Sequence, residues 1–198
     1  MIVIGLTGSI GMGKSNAAAA LRRFGLPVHD ADAAVHRLQA PGGAALPAIA
    51  AAFPGSVADG RLDRAALRAM LQADPEGWPR LEAIIHPLVH RAERQFLARA
   101  AARRVPAVVL DIPLLFEGGG DRRCDVTIVV SAPPFVQRAR VLRRRGMTRD
   151  RFAAILARQM PDGEKRRRAD FVVPAGLDRR QSLRALAKIL RLIGVRRA

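Results

Sequence analysis

Cysteine, tyrosine and lysine are scarce in this chain of 198 residues. The single cysteine, Cys124, excludes a disulfide within the chain and suits a reducing compartment. Aromatic residues make up 4% of the composition and tyrosine is absent, so there are few rings on which bases could stack. No apolar run approaches the roughly 18 residues of a membrane span, and the N-terminus lacks the basic start of a signal peptide. We therefore expect a cytoplasmic protein without a membrane segment.

Acidic residues are also few, and the formal net charge is +17. Only three of the 34 basic residues are lysines. Such an excess could bind nucleic acid, could steer polyanionic small molecules, or could reflect arginine-rich compositional drift. The arginines are spread from Arg22 to Arg197 without aromatic interleaving suited to stacking bases, so no physiological nucleic-acid partner is predicted.

A glycine-rich segment follows the first apolar run, Ile2 to Leu6. It has the pattern G-x-x-x-x-G-K-S and reads Gly8-Ser9-Ile10-Gly11-Met12-Gly13-Lys14-Ser15, followed by Asn16. Glycines let successive backbone N–H groups form an anion-binding nest, and the following helix points its positive end at the phosphates. In this pattern Lys14 reaches the β- and γ-phosphates and the Ser15 hydroxyl ligates Mg²⁺. The chain is therefore predicted to bind a nucleoside triphosphate with Mg²⁺.

Five short apolar runs, separated by helical patterns, predict buried parallel strands in an α/β fold. They are Ile2 to Leu6, Leu26 to His29, Val105 to Leu110, Asp125 to Val130 and Phe171 to Val173. In such a sheet, ligands bind beyond the carboxyl ends of the strands. The residues that follow each strand are therefore the candidates for chemistry.

A stretch of approximately 33–100 separates the second and third strands and is too long for a simple crossover. It predicts a helical insertion that covers a second substrate, with helices at Ala44 to Ala52 and about Leu62 to Leu71. A third apolar stripe has helical spacing from Leu81 to Phe96. Proline disrupts helix interiors, so the chain is expected to kink or restart at His86-Pro87 with Pro87 in a first turn.

An arginine-rich stretch, approximately 134–165, predicts two short helices that form a mobile lid. Gly146 is expected to end the first helix and Thr148 to cap the second. Arg140 and Arg144 are one helical turn apart and are expected to share a face. Arginines there could stabilise a transferring phosphoryl group or could simply form a solvated helix face.

Acidic residues follow the second and third strands. If the strand continues, Asp30 and Asp32 point the same way, and either could take a proton from an attacking hydroxyl or cap the next helix. One of them can cap while the other acts as a base. Asp111 could hold Mg²⁺ or its water, or could cap or pair at the strand end. His86, at an expected helix start, could contact an anionic ligand or be structural.

Taken together, the motifs resemble those of the dephospho-CoA kinase family over nearly the whole chain. D-I-P-L-L-F-E with an upstream H-P is far more specific than the phosphate-binding loop alone. The matching segments are Gly5 to Ser15, Asp30 to Asp32 (D-A-D), Leu62 to Leu67 (L-D-R-x-x-L), Ile84 to Leu88 (I-I-H-P-L), Asp111 to Glu117 (D-I-P-L-L-F-E), Gln137 to Leu142 (Q-x-x-R-V-L), Arg158 to Arg166 (R-Q-M-P-D-x-E-K-R) and Ala169 to Val172 (A-D-x-V).

The resemblance implies a three-layer P-loop kinase core with a five-stranded parallel sheet, a helical CoA-binding insertion and a small lid, all in one domain of residues 1–198. It implies transfer of the γ-phosphoryl group of ATP, with Mg²⁺, to the ribose 3′-hydroxyl of dephospho-CoA. Asp32 would be the base, and Lys14 and Arg140 would stabilise the transferring group. ATP would contact the loop from Gly8 to Asn16 and Arg144. The acceptor would contact Asp32, Arg64, His86, Asp111 and Leu115.

Two departures from the family pattern bear on the site. Ser9 replaces a frequent glycine and is tolerated if its φ is negative. At Val173-Pro174-Ala175 the family often has an asparagine-containing turn near the adenine, so backbone contacts are expected instead. The alternatives are a kinase of the same fold that acts on a nucleoside monophosphate or another small hydroxyl acceptor, and a P-loop switch or nucleic-acid-dependent ATPase. Neither a membrane nor an obligate protein partner is expected.

Overall fold

The computed structural model describes residues 1–176 and 178–195. The strands within them are β1 (Ile2–Thr7), β2 (Val28–Asp30), β3 (Val57–Ala58), β4 (Arg61–Leu62), β5 (Ala107–Asp111), β6 (Val126–Ser131) and β7 (Phe171–Pro174). The helices are α1 (Lys14–Arg23), α2 (Ala31–Leu38), α3 (Leu46–Ala52), α4 (Arg64–Ala73), α5 (Gly77–Ala102), α6 (Pro134–Leu142), α7 (Arg149–Ala157), α8 (Asp162–Arg168) and α9 (Arg179–Leu192), with a 3-10 turn at Gly120–Arg123.

The main sheet has the strand order β2-β5-β1-β6-β7. β1 lies at its centre and pairs in parallel with β5 and β6, and β6 pairs in parallel with β7. The five predicted strands are confirmed, with bounds within two residues of those expected. The crossovers bring the ends of β1, β5, β6 and β7 to one edge of the sheet, where the phosphate-binding loop begins.

The chain divides into two compact units, and the first contains the main sheet. It consists of Met1–His29 together with the described residues from Ala100 onward. Its core joins strand residues such as Ile4, Val109 and Ile128 to helix residues such as Leu21 and Leu186. The central strands β1, β5 and β6 are mostly apolar because both faces of the sheet are covered. This unit carries the phosphate-binding loop.

The second unit, Asp30–Arg99, is mostly helical. Its own core contains Ile49 and Phe53, Leu67 from α4, and Leu81 and Ile85 from α5. The unit overlaps the insertion that the sequence predicts at about 33–100. Its part in binding a substrate stays a prediction.

Helix α5 runs without interruption through Pro87, so the predicted restart at His86-Pro87 is wrong. Leu81 and Ile85 lie on its buried face, at 8% and 7% exposure. Burying this apolar stripe offsets the roughly 3 kcal/mol that an interior proline costs a helix. His86 is therefore exposed in mid-helix and does not stand at a helix N-terminus.

The segment from α6 to α7 differs in part from expectation. Helix α6 ends at Leu142 with Arg143 as its C-cap, so Gly146 lies beyond the helix end. Val141 is the last buried residue of α6, and the arginines that follow offer no apolar surface to extend the packing. The capping role of Thr148 is confirmed, because its side chain accepts a hydrogen bond from the Arg151 N–H at 3.2 Å. Helix α7 has no fully buried residue.

In the part of the chain that the structure describes, no helix combines the length and apolar character needed to cross a membrane.

Candidate active site

Glycines shape the phosphate-binding loop. Gly11 and Gly13 have φ values of 79° and 97°, in the region that favours glycine, and Gly13 is the N-cap of α1. A Cβ at Gly8 would lie 2.7 Å from the Val130 carbonyl oxygen, so a larger residue does not fit there. Ser9 has no positive φ and is 4% exposed, which confirms that serine is compatible with the loop. The glycines thus determine the path of the loop that leads into α1.

Lys14 and Asp111 form an ion pair at the base of this loop. Lys14 is the first residue of α1 and Asp111 is the last residue of β5, directly beside Leu6 of β1 in the sheet register. The Lys14 Nζ and Asp111 Oδ1 atoms are 2.5 Å apart, and the side chains are 17% and 4% exposed. Asp111 was expected to hold Mg²⁺ or its water, or to cap or pair at the strand end, and in this structure it forms an ion pair. The contact joins the G-x-x-x-x-G-K-S and D-I-P-L-L-F-E motifs.

A second ion pair fixes the segment that follows Asp111. The Glu117 carboxylate lies 2.9 Å from the Nζ of Lys165, whose side chain is fully buried in α8. Pro113 accepts hydrogen bonds from the Thr7 hydroxyl at 3.0 Å and from Lys165 at 3.3 Å. The D-I-P-L-L-F-E segment is therefore attached both to β1 and to α8. This pair is not among the expectations from the sequence, although both residues stand inside motifs that the sequence shares with the family.

Burial acts to raise the pKa of Glu117, but hydrogen bonds from Lys165 and the Met160 N–H outweigh it and hold this pKa below 4.5. Glu117→Gln leaves the buried Lys165 ammonium without its counter-charge, and we expect a loss of roughly 3 kcal/mol in the free energy of unfolding at neutral pH. The folded-state pKa is the lower one, so this stabilisation is present above 4.5 and is lost as the pH falls through the folded value. Chemical unfolding of both proteins from neutral pH to below 4.5 tests the prediction. If the difference in free energy of unfolding between them does not change with pH, the prediction is contradicted.

Leu115, a predicted acceptor contact, has a fully buried side chain. A Cβ at Gly5 would lie 2.8 Å from its Cδ2 atom, so Leu115 packs directly against β1. In this structure its side chain does not reach a surface that a bound molecule could touch. Leu114, by contrast, is 45% exposed.

Arg140 extends from α6 towards the phosphate-binding loop. It donates to the carbonyl oxygen of Gly176 at 2.7 Å and to that of Gly11 at 3.5 Å. With Gly13 and Ala175 it lines a cavity of about 120 Å³ beside α1. Arg140 therefore stands beside the loop, as expected.

Arg144 lies outside α6, because the helix ends at Leu142. It is exposed, and the prediction that it shares a helical face with Arg140 is wrong. Its predicted contact with ATP stays a prediction.

Ser15 follows Lys14 in the first turn of α1 and is exposed. Among residues 1–176 and 178–195, no three His, Cys, Asp or Glu side chains form a group that could hold a metal by themselves. Mg²⁺ commonly binds through few protein oxygens plus substrate phosphates and water. A serine hydroxyl at the mouth of a phosphate loop fits that donor set.

In the second unit, Asp30 and Asp32 have different environments. Helix α2 begins at Ala31, so the prediction that both acids follow the strand period is wrong. Asp30 is the N-cap and its carboxylate accepts the Ala33 N–H at 2.9 Å. This bond draws the chain into a helix immediately after β2. Asp32 stands exposed in the first turn with an acceptor carboxylate facing solvent.

Arg64 and His86 are the other predicted acceptor contacts in this unit. The Arg64 Nη2 atom lies 3.4 Å from Nδ1 of His36, one turn after Asp32 on α2, which brings Arg64 to the helix that bears Asp32. His36 is not among the residues that sequence motifs single out. The His86 ring lies 6.5 Å from that of His90 on the next turn of α5.

Comparison with known proteins gives a consistent result. A family model described as dephospho-CoA kinase matches residues 2–178. A dephospho-CoA kinase of Paramagnetospirillum magneticum is 64% identical over 166 residues, which cover 84% of this chain and 78% of the relative. The crystal structure of TT1252 from Thermus thermophilus has a TM-score of 0.85 and 39% identity, with 97% of each chain covered. A dephospho-CoA kinase from Campylobacter jejuni shares the fold, with a TM-score of 0.70, 23% identity and 96% of each chain covered. This chain belongs to the dephospho-CoA kinase family.

Proposed function

We propose that this protein transfers the γ-phosphoryl group of ATP to the ribose 3′-hydroxyl of dephospho-CoA, which gives coenzyme A and ADP. The observation that carries the proposal is the Lys14–Asp111 pair at 2.5 Å. It joins a loop built for a nucleoside triphosphate to the D-I-P-L-L-F-E segment, the motif that distinguishes this family from other P-loop proteins.

ATP binds with its phosphates in the loop from Gly8 to Asn16. The N–H groups of the loop and the N-terminus of α1 face the β-phosphate, and Lys14 exchanges its contact with Asp111 for the β- and γ-phosphates. Arg140 adds positive charge from the same side as Gly11. The nucleoside lies towards the cavity lined by Arg140, Ala175 and Gly176.

The Ser15 hydroxyl would hold Mg²⁺, and the ion would neutralise negative charge on the phosphates.

Asp32 is the base of the proposed reaction. Asp30 is occupied as a helix cap, whereas the Asp32 carboxylate is exposed and able to accept a proton. The 3′-hydroxyl oxygen forms a bond to the γ-phosphorus, its proton passes to Asp32, and the bond to the bridging oxygen breaks to release ADP. Lys14 and Arg140 stabilise the charge that spreads over the transferring group.

Arg64 and His86 contact the anionic acceptor. Both are exposed in the second unit, and Arg64 stands beside the helix that carries Asp32. Asp111 also contacts the acceptor once Lys14 has moved to the phosphates. We also propose a cytoplasmic location, which suits the single cysteine.

The test is consumption of ATP by the purified protein with Mg²⁺ and dephospho-CoA. We expect consumption to depend on dephospho-CoA and the product to carry its new phosphate on the ribose 3′-oxygen. AMP and adenosine serve as control acceptors, and DNA or RNA added without an acceptor should not stimulate hydrolysis. Activity on the control acceptors but not on dephospho-CoA overturns the proposed substrate, and stimulation by nucleic acid favours the ATPase alternative.

A further inference from the structure

One residue of the phosphate-binding loop, Ile10, is held on both of its peptide groups by glutamine side chains. The Ile10 N–H donates to Oε1 of Gln159 at 3.0 Å. The Ile10 carbonyl oxygen accepts from Nε2 of Gln137 at 2.8 Å. A backbone N–H can only donate and a carbonyl can only accept, so the two amides have opposite and fixed roles.

The two glutamines lie near opposite ends of the arginine-rich segment. Gln137 belongs to α6 and is 6% exposed, and Gln159 follows the end of α7 at Ala157. Between them stand the exposed residues Arg143, Arg144, Arg145 and Arg149. Both ends of the segment are therefore attached to the same residue of the loop.

The position of Gln159 is fixed from the other side as well. The neighbouring Met160 N–H donates to the Glu117 carboxylate at 2.8 Å, and that carboxylate is paired with Lys165. A series of contacts thus connects the D-I-P-L-L-F-E segment, through Met160 and Gln159, to the phosphate-binding loop. Gln137 provides a second connection to the loop from α6, the helix that also carries Arg140.

We propose that Gln137 and Gln159 are positioning residues that hold the Ile10 peptide groups and thereby fix the phosphate-binding loop relative to the arginine-rich segment. The inference rests on the proposed function, because it assigns them to the binding of ATP. With Ile10 fixed on both sides, and with the Met12 N–H bonded to the Ser9 carbonyl oxygen at 3.1 Å, the loop keeps its path into α1 before the phosphates arrive. Loss of either contact frees the loop, weakens nucleotide binding and misplaces Arg140.

Because one amide accepts and the other donates, the same substitution should have different effects at the two positions. A change in side-chain size or charge alone would not produce that difference. Methionine at either position removes the hydrogen bond at similar volume, and we expect kcat/KM for ATP to fall roughly ten- to hundredfold because a part-buried backbone group is left unpaired. Gln159→Glu restores an acceptor for the Ile10 N–H and should recover most of the loss seen in Gln159→Met. Gln137→Glu places an acceptor against the Ile10 carbonyl oxygen and should recover nothing at neutral pH.

Acidification separates the two positions further. As the carboxylate introduced by Gln137→Glu becomes protonated, it regains a donor, so the activity of this variant relative to the unsubstituted protein should rise as the pH falls. Gln72→Glu, on the exposed face of α4, is the control for an added negative charge. We expect KM for dephospho-CoA to be unchanged in every variant. Thermal unfolding of every variant shows whether it is folded.

The proposal is overturned if Gln137→Glu and Gln159→Glu recover kcat/KM for ATP to the same extent, or if both lose it to the same extent. Calorimetric titration with ADP gives the same comparison without an acceptor. If the protein fails to phosphorylate dephospho-CoA but the glutamine variants still differ in ADP affinity, the proposed function fails and the positioning role stands. If the acceptor reaction occurs but the four variants at Gln137 and Gln159 bind ADP as tightly as the unsubstituted protein, the positioning role fails alone.

Discussion

Asp32→Asn should lower kcat by at least about a hundredfold while ATP still binds. A positioned general base contributes roughly 10² to 10⁴ in rate, and asparagine keeps the shape of the side chain but cannot accept the proton. Asp32 is exposed in the first turn of α2, so its replacement by asparagine disturbs no buried packing. Steady-state kinetics with dephospho-CoA, together with calorimetric binding of ATP, measure the two quantities separately.

Asp30→Asn is the matched control, two residues away at the start of the same helix. Asparagine is as good an N-cap as aspartate, so it preserves the hydrogen bond to the Ala33 N–H and leaves α2 intact. We expect its kcat to stay within about threefold of the unsubstituted protein. If Asp30→Asn is the slow variant and Asp32→Asn is nearly as fast as the original, the two acids have exchanged roles and the proposed mechanism is wrong.

Lys14→Met should lower kcat/KM for ATP by about a thousandfold. Removing one donor that stabilises developing charge typically costs 10² to 10³ in rate, and Lys14 also binds the ground-state phosphates. Methionine keeps the unbranched stem and removes only the charge. The same assay with dephospho-CoA gives the result, and a variant that keeps a tenth of the activity would contradict the role of Lys14.

Two further variants separate this effect from instability. Lys14→Met leaves the nearly buried Asp111 carboxylate without its cation, and Lys14→Met with Asp111→Asn removes that charge as well. The double variant should unfold at a higher temperature than Lys14→Met and remain inactive. Lys188→Met, on the exposed side of α9, controls for the loss of a lysine and should leave the rate unchanged.

The elements that follow from local chemistry were predicted well. Four strands of the main sheet, β1, β5, β6 and β7, are short and mostly apolar, and such runs are typical of strands that are buried on both faces of a sheet. The phosphate-binding loop is a contiguous motif whose glycines determine its conformation. Thr148 caps α7 because a threonine hydroxyl satisfies N–H groups that would otherwise be unpaired.

The errors arise where tertiary packing overrides a local rule. Pro87 should end a helix, but the buried face of α5 keeps the helix continuous. Arg144 has helical spacing from Arg140, but packing ends at Val141 and the helix stops soon after it. The contacts of Ile10 with two glutamines span more than a hundred residues of sequence, and neither spacing nor composition encodes a partner at that distance.

The scarcity of lysine, combined with the low exposure of two of the three, gives this protein an unusually simple chemistry towards amine reagents. Lys165 has no exposed surface and its amine is held by a carboxylate, so an acylating reagent cannot approach it while the chain is folded. Lys188 is exposed, and the Lys14 side chain is only 17% exposed at the base of the phosphate-binding loop. Under the proposed function, we expect the reaction of Lys14 with a covalent amine probe to report nucleotide occupancy, against a background of Lys188 and the N-terminal amine.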